Sequence, residues 1–164
     1  MPSLYYLSVS IHVFAALVWL GGMFFIALVG APVLRRLDRP ELRQALFDQL
    51  GVRFRTVGWI SLAVLLVTGV VNLWFRGALS MATWRDPAFS GSGWATALKY
   101  KLAAVLVMLV VEGYHDWVLG PRASRMNASS PEAAVLRKRA SLYARISAVA
   151  GVVIILAAVR LARP

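Results

Sequence analysis

The run Leu98–Gly120, LKYKLAAVLVMLVVEGYHDWVLG, is long and apolar enough to cross a bilayer, yet it carries Lys101, Glu112, His115 and Asp116. A helix of about 20 residues spans the ~30 Å hydrocarbon core. Ionisable groups at that depth cost free energy and normally face a protein interior or a cavity, where they mark functional sites. Positions seven apart fall nearly on one face of a helix. Lys101, Met108 and His115 are related in this way, with Glu112 one turn before His115. A chain with this polar stripe needs other helices for it to face.

Three more apolar runs supply them. The sequence predicts an all-α integral membrane protein, a four-transmembrane-helix bundle in one domain, with spans about 4–33, 57–75, 97–119 and 142–161. The first run has no basic n-region and is too long for a cleaved signal, so it reads as a retained helix. Gly21, Gly22 and Gly30 in it permit close approach of a neighbour. Between the first two spans, Asp38 is placed to cap a short amphipathic helix over about 38–52. Its Leu42, Leu46, Phe47 and Leu50 recur at helical spacing, with arginines toward phospholipid head groups. Trp84, Phe89 and Trp94 mark an interfacial loop before the third span. No internal repeat is visible along the chain.

Charge then sets the orientation. A net charge of +11 would fit a nucleic-acid partner, but the basic residues flank the apolar runs and membrane topology accounts for them, without nucleic acid. The first and third loops, with Arg145, hold twelve Lys and Arg, and the opposite side holds six. The positive-inside tendency places both termini outside the cytoplasm. With no cysteine in the chain, disulfides, thiolate metal sites and covalent haem attachment are excluded. Two histidines leave too few ligands for a protein-only zinc centre.

The candidate site residues follow from depth. His12 shares a face of the first helix with Trp19 and Met23. The plain alternative for it is a hydrogen bond to a carbonyl or a Ser; the functional one is an axial ligand to haem b. A single haem between His12 and His115 does not fit, because their positions along the two helices differ by roughly 18 Å in depth. Lys101, near the level of His12, and Asn72 of the second span complete an outer site, unless Lys101 snorkels to the interface. Met108, Glu112 and His115 form an inner set suited to proton transfer or to Cu(I). Alternatively, Glu112 and Asp116 neutralise Arg122 and Arg125 of the adjoining loop.

The first helix, IHVFAALVWLGGMFF, resembles the opening helix of HemJ-type protoporphyrinogen oxidases and related CopD-like membrane proteins. The segment GWATALKYKLAAVLVMLVVEGYHDWVLGPR resembles their GW…KL…YH…G segment, and HDWVLGPR is closer to the CopD-like branch. The resemblance implies a haem b protein of a bacterial-type plasma membrane that moves electrons to or from a quinone or another membrane redox protein. His12 and Lys101 match the essential His and Lys of the HemJ type, as an iron ligand and a second ligand; by position in the spans, Lys101 with Glu112 would be the catalytic groups. Trp19, Asn72 and His115 would line the cofactor. The alternatives are copper transport through His12, Met23, Met108 and His115, or an accessory subunit within a homo-oligomer or larger complex.

Overall fold

The computed structural model describes residues 2–126 and 130–162, and all of its regular structure is helical. The elements are α1 Pro2–Phe25, a π turn Ile26–Gly30, α2 Ala31–Arg35, α3 Pro40–Phe75, α4 Met81–Arg85 and α5 Pro87–Ser90. They continue with α6 Gly93–Tyr114, a second π turn His115–Leu119, α7 Gly120–Ser124 and α8 Pro131–Leu161. Four stretches are long and apolar enough to cross a membrane: Ser3–Arg35, Pro40–Phe75, Gly93–Arg122 and Lys138–Leu161. The chain is a multi-pass membrane protein, and its long helices carry many exposed large apolar side chains, Phe14, Leu28, Val67 and Leu106 among them.

Two boundaries differ from the sequence-based expectation. The segment 38–52 is not a separate helix: it is the beginning of α3, which runs 36 residues without a break. No proline interrupts 41–75, and a glycine such as Gly51 costs a helix only about 1 kcal/mol. Nor does Asp38 cap it. Pro40 opens the helix, a position where its missing N–H costs nothing. The first helical bond runs from Arg43 N–H to the carbonyl of Arg39 at 3.0 Å. In the same way α8 begins at Pro131, well before the expected 142.

The chain divides into two compact units, Met1–Val33 with Gln49–Ser92, and Leu34–Asp48 with Gly93–Pro164. In the first, α1 and the membrane part of α3 pair antiparallel, with Ala15, Trp19, Leu20, Ser61, Leu62 and Thr68 buried. Small residues set the spacing. A Cβ on Gly22 would run into the ring of Phe54, and one on Gly58 would sit 3.7 Å from Trp19 Cδ1. The connection after α3 folds on itself. Gly77 takes a left-handed φ of 67°, Trp84 Nε1–H donates to Ala78 O at 2.8 Å, and Asp86 caps α5 at Ala88 N.

In the second unit α6 and α8 pair antiparallel, burying Ala97, Leu98, Met108, Ser147 and Ala150. Tyr114 and Tyr143 pack with tilted rings, centroids 5.3 Å apart.

The two hairpins repeat one another, which the sequence did not reveal. Their π turns open at Ile26 and His115, 89 positions apart, and Pro32 and Pro121 stand at the same offset. The four buried positions of α3, Gly58, Ser61, Leu62 and Thr68, map by that offset onto Ser147, Ala150, Gly151 and Ala157 of α8. Among the described residues these are the buried positions of α8. Buried Trp19 maps onto buried Met108.

Candidate functional site

In the first hairpin, His12 Nδ1 and Thr68 Oγ1 lie 2.8 Å apart. Thr68 gives its one hydroxyl hydrogen to the carbonyl of Val64 at 2.6 Å. Its oxygen therefore accepts, and His12 Nδ1–H donates. The ring lone pair is then on Nε2, the nitrogen that ligates a metal when a second-shell group holds the other. The α3 backbone runs against the ring, since a Cβ on Gly69 would lie 3.5 Å from His12 Cε1. One turn along α1, Ser8 is buried, and its Oγ and Asn72 Oδ1 have no hydrogen-bond partner among the described residues. Trp19, on the same face as His12, is 4% exposed and packs on Gly58. His12, Asn72 and Trp19 thus share one unit, whereas Lys101, half-buried on α6, belongs to the other.

The second unit holds the inner set. Met108 is 3% exposed, and Glu112 lies one helical turn further along α6. Ser147, 1% exposed on α8, sets its hydroxyl beside the Glu112 carboxyl. His115 Nδ1–H donates to Asp116 Oδ1 at 2.8 Å. One ligand atom each from Glu112, His115 and Asp116 can be chosen so that all lie within 4.8 Å of one another. Among the described residues this is the group of three or more His, Asp and Glu side chains drawn so close.

The sequence pointed to His12, Met108, Glu112 and His115. It missed Thr68 and Ser147, the hydroxyls beside two of them, and the contact of Asp116 with His115. Their signal was weak, since a single Thr or Ser in an apolar helix is common and its partner depends on helix register.

Chemically, the cluster joins one imidazole to two carboxyl groups, a nitrogen and oxygen set of the kind Cu(II) takes. With Asp116 on Nδ1, His115 presents Nε2, and the carboxylate fixes the ring as a second-shell partner does in metal sites. Met108 adds a thioether one turn away, a soft donor suited to Cu(I). The residues present therefore fit a copper ion. His12, with its tautomer set by Thr68, also fits an axial ligand to haem iron.

Residues 48–161 match the protein family described as CopD, copper resistance protein D. An uncharacterized protein of Aquifex aeolicus (strain VF5) is 32% identical over 118 residues, covering 71% of each chain. No solved structure matches. The matched residues include Lys101, Met108, Glu112, His115, Asp116 and Ser147, and they begin after His12 and Trp19.

Proposed function

Because the chain belongs to the copper resistance protein D family, we propose that it handles copper as a cargo ion within the membrane. Glu112 and His115 Nε2 hold the ion, Asp116 orients the imidazole, and Met108 lies next on the same helix for the reduced ion. One observation carries this reading: Glu112 and the hydrogen-bonded His115–Asp116 pair gather within 4.8 Å of one another inside the segment that matches the family. So small a ligand set suits an ion that has to leave again. With both termini outside the cytoplasm, the cluster sits toward the cytoplasmic end of the third span.

The test is equilibrium dialysis of the detergent-purified protein against copper. About one copper per chain is expected, and it should be lost in His115→Ala and weakened in Glu112→Gln. Wild-type protein that binds no copper, or binds it equally well as His115→Ala, contradicts the proposal.

A second reading has its own observation. The His12 imidazole is held by Thr68 in the tautomer an axial haem ligand needs. On this reading the protein carries haem b and moves electrons, with His12 on the iron. A b-type absorbance spectrum in wild type that vanishes in His12→Ala supports it. Colourless, folded protein from haem-replete cells removes it.

A further inference from the structure

Adjacent residues on an α-helix point about 100° apart and do not face each other. His115 and Asp116 are adjacent, yet their side chains meet at 2.8 Å. Both lie in the π turn His115–Leu119, where Gly120 N–H reaches back to the carbonyl of His115, five residues away instead of four. A turn closed over five residues spreads fewer degrees over each of them, bringing neighbours together. Pro121 follows immediately. It has no N–H, and in a regular helix its ring would press on the carbonyl of Trp117, four residues back.

The same arrangement occurs in the other hairpin, where Ala31 N–H bonds Ile26 O directly ahead of Pro32. Pro2, Pro40, Pro87 and Pro131 open helices, so among the described prolines only Pro32 and Pro121 sit within a continuous helical run. Each follows a π turn. The pairing occurs twice at one offset, and the missing N–H and bulky ring of proline supply a physical reason for it.

We propose that Pro121 is a positioning residue: through the π turn it enforces, it swings Asp116 onto His115 and so assembles the Glu112–His115–Asp116 copper site. This rests on the copper reading above. The first π turn has Ile26 and Ala27 where the second has His115 and Asp116, so it provides a matched control with no ligands. Val29 and Val118 occupy equivalent places in the two turns.

Deleting one residue from a π turn returns it to closure over four residues. The experiment uses the full chain in detergent, with copper alone as the probe, and reads Cu(II) affinity together with the electron paramagnetic resonance spectrum. Deletion of Val118 is expected to lower affinity at least ten-fold and to alter the nitrogen hyperfine pattern. Deletion of Val29 is expected to leave both as in wild type, with helicity and elution unchanged in each protein. Pro121→Ala should weaken binding in the same direction. If wild type binds copper and the Val118 deletion binds it equally well, the positioning role is overturned while the copper reading stands. Equal losses in both deletions also overturn it, because shortening any span would then suffice. Should the Val118 deletion fail to fold, Pro121→Ala decides, and wild-type affinity and spectrum in that variant overturn the role. A wild type that binds no copper removes the copper reading and this proposal with it.

Discussion

The two hairpins share a frame and differ in where they carry polar groups. In the first, the buried line of α3 is Gly58, Ser61, Leu62 and Thr68, and the polar pair is His12 with Thr68, midway along α1. In the second, the equivalent line of α8 is Ser147, Ala150, Gly151 and Ala157, and the polar groups gather at the C-terminal end of α6. Position 12 is answered by Lys101, and positions 23, 26 and 27, apolar in the first hairpin, are answered by Glu112, His115 and Asp116. The frame depends on small residues and a proline-induced π turn, which constrain the backbone. The chemistry depends on side chains that the frame tolerates. One scaffold can therefore present polar groups at different places along the hairpin without changing its packing.

The largest effect should break the comparison outright. His115→Ala is expected to lower copper affinity at least ten-fold, whereas Ile26→Ala, at the same place in the first hairpin, should leave it unchanged; dialysis against copper reads both. Next, the small positions should behave alike. Gly58→Leu and Ser147→Leu should each destabilise by about 1–3 kcal/mol through overpacking. Gly58→Ser, which borrows the residue of the other hairpin, should stay within about 1 kcal/mol, since a Cβ there meets Trp19 at 3.7 Å. Thermal unfolding in detergent measures all three.

Thr68→Val should sharpen the difference in chemistry. It removes the acceptor of His12 Nδ1–H at a cost of about 1 kcal/mol, while copper binding at the other hairpin is untouched. The smallest effect is expected at the exposed rim. Arg76 Nε–H donates to the Tyr5 hydroxyl at 3.0 Å, and Arg76→Ala should change stability by no more than about 0.5 kcal/mol.

Much of this architecture could be read along the chain. Four apolar runs forced four spans, because no other backbone arrangement satisfies its hydrogen bonds in lipid except a closed barrel. His12, Glu112 and His115 stood out because ionisable groups are rare in such runs. The ends were harder to read. Polar residues 40–55 continue a helix as readily as they lie apart from it, and nothing in that stretch stops α3. The repeat was hidden because its two copies share sizes at buried positions more than identities: Trp19 answers Met108, and Leu62 answers Gly151. The partners of the site residues were hidden too. Whether Ser147 meets Glu112 depends on how α8 is rotated against α6, and the π turn that joins His115 to Asp116 is signalled by one residue, Pro121.

The most direct measurement is the electron paramagnetic resonance spectrum of Cu(II) added to purified wild type and to His115→Ala. The wild-type spectrum should show a single copper species with one nitrogen and oxygen ligands, and His115→Ala should retain only the signal of free or loosely bound ion. A wild-type spectrum that is unchanged by the loss of His115 would place copper elsewhere and contradict the account.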